Sequence, residues 1–386
     1  MPDLPTYAVL PSVVKRDRHG PQGSTAFNNN LLRPSSHVGL HAQLLAYDIT
    51  QGDGVNVGIN PVQTVAPRVG TKGSYSTRTY QFYVGHLARL GEVESGGSTR
   101  NLDKIAATPI EFGGLNLLPA DPIKQAAKGL SGAMAIMPLG ATWSEDSTSR
   151  SAATVQAPGQ VAYRDFSLVW QKGLNLRWAN GRPVQAMAAE GLGTPVDPKD
   201  NSDMAVNYRS EPLWYRFAKA PDAPFGHGGW GDIPNAYMAY SNALVSGDPV
   251  TPVLKVQAGQ PFRVHLTMPA GGSRGATFQL DGHLHPQEPF VSQNSDADSY
   301  PLRFSGVGSV RFGYNPLSRY VGTQESVLPA AHFNFMYPSA GGGNAVPGDY
   351  LWRDFAVFGN AGGMWGLLRV TPAATSGGGG KGGGRK

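Results

Sequence analysis

The chain contains no cysteine. That single absence removes disulfide frameworks, thiolate metal sites and cysteine nucleophiles together. Charge is also scarce, at 15% Asp, Glu, Lys and Arg, although the hydrophobic share of 40% is ordinary for a folded protein. No apolar run reaches membrane-spanning length. The opening residues show neither a basic n-region nor an apolar h-region, so no signal peptide is visible. Hydrolase and nucleotide signatures are missing too: there is no Gly-x-Ser-x-Gly elbow, no His-Glu-x-x-His and no phosphate-binding glycine loop. A clustered basic stripe is absent, and no nucleic-acid partner is expected. The net charge is +5, of which Lys381, Arg385 and Lys386 in the glycine-rich tail supply three, leaving +2 for the rest.

What the chain has in abundance is glycine (51) and proline (31) over 386 residues. Many short strands joined by turns suit that composition better than long helices, and the length allows two or three domains. Period-2 alternation supports this reading. Phe262, Val264, Leu266 and Met268 fall on one face, while Arg263, His265 and Thr267 fall on the other, as in a half-buried strand. Residues 80–84, 253–256 and 276–280 read alike. Residues 130–137 and 365–370 are more continuously apolar, as for strands covered on both sides. Gly-Asp-Pro at 247–249 and Ala-Gly-Gln-Pro at 258–261 are turn signals. One two-turn helix is expected at 121–129, with Asp121 as N-cap and Pro122 at the first helical position.

A glycine-punctuated apolar strand ends at a proline near 138 and again at Thr-Pro near 372. That weak repeat divides the chain into units at 1–139 and 154–372, with a polar linker at 140–153 and a flexible Gly-rich basic tail at 373–386.

Among residues with chemistry, His283 and His285 flank Leu284. On a strand, alternate residues point the same way, so two imidazoles either converge on one metal or sit as polar groups on a solvent face beside Asp281. His37 and His41 are four apart in a segment where Pro34 and Gly39 argue for a loop or strand end. Their open alternatives are metal ligation and bonding to backbone carbonyls. His86, His227, His265 and His332 are isolated in sequence and receive no role. Asp296 and Asp298 have too few companions for calcium. Tyr208, Trp214, Tyr215 and Phe217 read either as a surface for a sugar ring or a partner or, the favoured reading, as packing between the two units.

Several segments then come together. Val253-Leu-Lys-Val256, the Ala-Gly-Gln-Pro turn, Phe262 to Met268, and Ala276-Thr-Phe-Gln-Leu-Asp-Gly-His283 run strand–turn–strand–strand into a histidine motif. Gly348-Asp-Tyr-Leu-Trp-Arg353 and Gly363-Met-Trp-Gly-Leu-Leu-Arg-Val370 follow as closing strands. With Asn30-Leu-Leu-Arg-Pro-Ser-Ser-His-Val-Gly-Leu-His41 and Gly129-Leu-Ser-Gly-Ala133, most of the chain resembles the cupredoxin domains of multicopper oxidases. The likeness is to the C-terminal part of the large, many-domained bacterial kind.

That resemblance implies an all-β fold of tandem cupredoxin-like Greek-key β-sandwiches, an extracytoplasmic location, and copper as the cofactor. It implies His37 and His41 facing His283 and His285 across a domain interface, where four histidines suffice for one type 2-like Cu(II). The departures are as informative. The closing segment 352–364 has neither Cys nor His, so no type 1 copper is expected. Ala276, Gln279 and Asp281 stand where the family spaces its histidines, and only His283 remains. The expected function is a scaffold or C-terminal part of a copper-dependent oxidase acting on a metal ion or phenol with oxygen, without turnover alone. The alternative is a structural or assembly subunit that kept the fold and lost copper. Because the first unit starts late for the family, the expected partners are another cupredoxin chain or a missing N-terminal region, with self-assembly through open strand edges.

Overall fold

The computed structural model describes residues 34–67, 76–94, 101–121, 125–126, 129–147, 149, 151–172, 204–218, 236–271, 275–287, 318–355 and 357–373. The expected helix lies mostly outside them, as do His227, Asp296, Asp298 and the tail.

The chain is nearly all β. In order, the strands are β1 (Leu40–Ala42), β2 (Gly85–Glu94), β3 (Asn101–Pro109), β4 (Gly113–Pro119), β5 (Gly132–Ile136), β6 (Thr142–Glu145), β7 (Ala152–Gln156), β8 (Tyr163–Lys172) and β9 (Met204–Val206). They continue as β10 (Val253–Gln257), β11 (Phe262–Ala270), β12 (Ala276–Leu280), β13 (His285–Pro286), β14 (Tyr320–Val321), β15 (Thr323–Val327), β16 (Ala331–Tyr337), β17 (Gly348–Asp354) and β18 (Trp365–Thr371). A five-stranded sheet, β10-β18-β17-β12-β15, faces a sheet ordered β16-β11-β8-β7-β6, with β9 added on β8. Pairing is antiparallel except β10 with β18 and β11 with β8, so the first long strands of this sandwich return beside distant ones.

The two sheets bury one apolar core. Phe166, Leu168 and Trp170 on β8, with Phe262, Val264, Leu266 and Met268 on β11, meet Leu254, Phe278, Leu280, Trp352 and Leu368 of the opposite sheet. Phe278 stacks on Phe335 at 4.8 Å, and Phe262 on Tyr337 at 4.6 Å. Each such side chain contributes roughly 1.5–3 kcal/mol by leaving water. One cross-strand pair sets a tight requirement. Trp352 lies opposite Gly366, and a Cβ on residue 366 would fall 2.2 Å from the indole Cζ2. A buried ion pair closes one end: Lys172 on β8 donates to the Asp354 carboxylate of β17 at 3.0 Å and to the Gly275 carbonyl at 3.2 Å.

The N-terminal unit is built on a three-stranded antiparallel sheet, β1-β4-β5, beside the β2–β3 hairpin. Ala42, Leu45 and Leu115 form its own small core, joined by Phe82, Val84 and Met134. The opposite face of this sheet packs on the outside of the six-stranded sheet, through β4 on β11 and β16. Three β layers result.

Several expectations change. β11 is not half-buried: the three-stranded sheet covers its second face, so Arg263, His265 and Thr267 are buried with the apolar residues. The segment 130–137 contains an edge strand, β5, that is only partly buried along its length. Residues 80–84 form no strand and contribute one bridge, Tyr83 to Ala46. Thr142–Glu145, within the stretch read as a linker, is the exposed edge strand β6, bonded to β7. Alternation at β10 and β12, the buried run of β18 and the β17–β18 closing pair are as expected.

Candidate functional site

His283 does not lie on the strand that precedes it. β12 ends at Leu280, and the chain turns through Asp281 and Gly282 before β13 opens at His285. Strand alternation therefore does not govern the pair, and neither histidine faces solvent: both are buried. His283 uses both ring nitrogens on the backbone. Nδ1–H donates to the Asp281 carbonyl at 3.0 Å, and Nε2 accepts from the Gly341 N–H at 3.0 Å. Tyr350, Phe262 and Tyr337 box the ring edge-on at 4.7, 5.5 and 5.8 Å. Burial lowers its pKa, against a smaller opposite effect of the Asp281 carbonyl.

His285 packs against Phe335 at 4.5 Å and against Tyr337 at 5.7 Å. Its Nδ1 is 3.5 Å from the Tyr337 hydroxyl, and Nε2 is buried without a hydrogen bond. Burial pushes its pKa down to about 4. The two imidazoles thus share Tyr337 as a neighbour.

His37 and His41 lie in the N-terminal unit. His37 is exposed, and its carbonyl accepts from Gln125 Nε2 at 2.8 Å. His41 on β1 holds Nδ1 2.9 Å from Asp53 Oδ1 and 3.1 Å from the Asp53 carbonyl. Tyr47 donates to the same carboxylate oxygen at 3.0 Å, and Gln63 Oε1 accepts the Asp53 N–H at 2.8 Å. A carboxylate behind an imidazole is how metal-binding histidines are commonly oriented, but here the arrangement gathers no second ligand. Among the described residues, no three His, Cys, Asp or Glu side chains come together as a metal-binding group.

A different histidine occupies the contact between the layers. His265, on the covered face of β11, places Nε2 2.8 Å from Asp165 Oδ1 of β8 and Nδ1 2.5 Å from Asn334 Oδ1 of β16. Asn334 in turn donates from Nδ2 to the Phe112 carbonyl at 3.0 Å and accepts the Gly114 N–H at 2.7 Å, both from the N-terminal unit. Beside it, Arg263 pairs with Glu111 just ahead of β4 and donates to Gln160 at 2.9 Å, with its guanidinium 4.0 Å above the Tyr163 ring. Asn116 Nδ2 donates to the Ala331 carbonyl at 3.0 Å. The Asp165–His265 pair lines a cleft of about 350 Å³ whose other walls include Met137, Trp143, Glu145 and Phe166. Sequence reasoning passed over His265. The signal was there in the β11 alternation, which sets a cation, an imidazole and a hydroxyl in a row on one face.

Copper does not fit the four expected histidines as they stand. Both nitrogens of His283 are engaged by the backbone, the His285 ring is wedged between aromatic side chains, and the chain offers no thiolate. Tetragonal Cu(II) needs several imidazole lone pairs converging on one point.

Fold and site together define an all-β sandwich protein in which His265, His283 and His285 are woven into the packing. No protein-family model matches the chain, and no curated protein does. Solved structures do align. A multicopper oxidase crystal structure shows 11% identity over 87% of this chain and 70% of its own, with TM-score 0.38. A copper nitrite reductase from Nitrosomonas europaea shows 10% identity over 88% and 76%, with TM-score 0.38. A Cu-containing nitrite reductase from Thermus scotoductus SA-01 shows 12% over 70% and 44%, with TM-score 0.32. These are cupredoxin-fold proteins. At such identities and scores the likeness carries no argument about what this chain does. Among the described residues, no helix is long and apolar enough to cross a membrane.

Proposed function

We propose that this chain is a multicopper-oxidase-like scaffold, a fold-bearing part of or partner to an extracytoplasmic copper-dependent oxidase that acts on a metal ion or phenol with oxygen. It carries no type 1 copper of its own. The observation that carries the scaffold role is His283. It is the one histidine left in the family-like motif, and its two nitrogens hold the 281 and 341 backbones together instead of facing a ligand. A donor of single electrons needs a redox centre, and that centre belongs to the partner in this reading.

One observation favours a second reading, a structural subunit that assembles through strand edges. β6 is an outer strand of the six-stranded sheet, exposed along its whole length, with Trp143 57% exposed. Such an edge presents unpaired N–H and C=O groups to another chain.

Copper retention separates these readings from a true metal protein. The chain is soaked with Cu(II), desalted, and its metal measured by mass spectrometry beside His283→Ala and His37→Ala. The scaffold reading expects negligible copper in all three. About one copper per chain, lost in both variants, would show a shared histidine site and overturn it. Concentration-dependent oligomers in light scattering, abolished by a proline within β6, would select the assembly subunit.

A further inference from the structure

We propose that His265 is a proton-operated latch between the N-terminal sheet and the six-stranded sheet, closed when its ring is an imidazolium and loosened when it loses a proton.

The argument rests on what the two ring nitrogens face. Nε2 lies 2.8 Å from the Asp165 carboxylate, an ion-pair contact rather than an aligned hydrogen bond, and Nδ1 lies 2.5 Å from Asn334 Oδ1. Both are acceptors. The Asn334 amide has no freedom to turn its NH2 toward the ring. Its oxygen already accepts the Gly114 N–H, and its nitrogen already donates to the Phe112 carbonyl. A flip would set donor against donor and acceptor against acceptor. The Gly114 N–H also reaches Nδ1, at 3.2 Å, and is shared between the ring and Asn334 Oδ1. It is the 2.5 Å approach of Nδ1 to that oxygen, with the carboxylate beside Nε2, that favours the doubly protonated ring. The Nδ1–H tautomer sets a buried lone pair against the Asp165 carboxylate, and the Nε2–H tautomer sets one 2.5 Å from Asn334 Oδ1 with only the longer Gly114 N–H contact to offset it, which in a low-dielectric layer is costly.

The same amide bridges to the N-terminal unit, so strain at His265 is transmitted to the bonds that hold the layers together. Gly114 sits so close that a Cβ there would lie 2.7 Å from the His265 Cβ. The cleft reaches His265 and Asp165, so water has a path to the ring. Charged and titratable groups on the surrounding elements are Tyr163, Arg164, Asp165 and Lys172 on β8, Arg263 on β11, Glu111 ahead of β4, His332 and Tyr337 on β16 and Glu145 on β6; β4, β5 and β7 carry none. Arg263 disfavours the imidazolium but is paired with Glu111. Burial is the largest single influence and disfavours it more strongly, but the Asp165 charge with the contacts to Asp165 and Asn334 together outweighs both, leaving the pKa raised.

The test is a histidine titration of the full chain. With 9 histidines, selective ¹³C labelling resolves each ring by NMR, and His265→Gln identifies one signal by its loss. The expected result is a His265 signal that stays imidazolium above pH 6.5 and moves to lower pH in Asp165→Asn. Amide exchange at Gly114, corrected for its intrinsic pH dependence, should speed by at least about tenfold as pH crosses that midpoint. A His265 ring already neutral at pH 6 overturns the proposal, as does Gly114 protection that ignores the titration. If His265→Gln does not fold, the signal displaced by Asp165→Asn makes the assignment.

Discussion

Replacing Asp354 by Ala tests the closure of the C-terminal sandwich. The carboxylate is fully buried and receives Lys172 Nζ at 3.0 Å and the Thr277 N–H at 2.9 Å. Removing it strands a cation whose side chain is only 7% exposed, with the Gly275 carbonyl as its remaining partner. It also orphans a backbone donor. Breaking one side of a buried pair costs about 3–5 kcal/mol, and the lost amide bond adds roughly 1 kcal/mol. A loss of about 4–6 kcal/mol is expected for the single change. The double change Lys172→Met with Asp354→Ala should recover at least about half, because no buried charge is left unpaired. Urea unfolding followed by fluorescence of the buried Trp170, Trp352 and Trp365 reads this sandwich directly. A single-variant loss below about 1 kcal/mol, or a double variant as unstable as the summed singles, would refute the ion-pair reasoning.

Two further outcomes follow from the packing. Gly366→Ala should cost about 1–3 kcal/mol or more, since the new methyl would overlap the Trp352 ring, whereas Gly343→Ala, with open space at that position, should change the urea midpoint little. His285, held neutral by burial with a pKa near 4, makes the folded state bind fewer protons than the unfolded chain between about pH 4 and 6.5. Its stability contribution is therefore full above the unfolded value and is lost as pH falls, at up to about 1.4 kcal/mol per pH unit. His285→Phe should flatten that acid limb. An unchanged profile would mean that the His285 ring is not desolvated. His265 runs the other way: with a raised pKa, its contribution is complete below the unfolded value and fades as pH rises through the folded one.

Much of the C-terminal sandwich was legible because its signals are local. Alternation at β10 and β12, the continuous apolar run of β18 and the glycine turns each depend on a few neighbouring residues. The histidine site was not legible for the same reason. His283 and His285 read as strand neighbours, but the turn at Asp281 and Gly282 takes His283 off β12, and the groups that meet His283 Nε2 and His285 Nδ1 come from residues 341 and 337. Likewise, Tyr80 to Val84 has strand-like residues but finds a single bridging partner.

The sequence by itself determined the all-β class, the positions of most C-terminal strands, and the absence of a thiolate for type 1 copper, since composition and period-2 patterning are properties of the chain alone. Only the tertiary structure decided that the polar face of β11 is an interior. Burial there depends on a sheet formed by residues about 150 positions earlier, such as Gly114, bonded to Asn334 across 220 residues of sequence. A period of two shows that a strand has two faces; what covers each is settled by long-range packing.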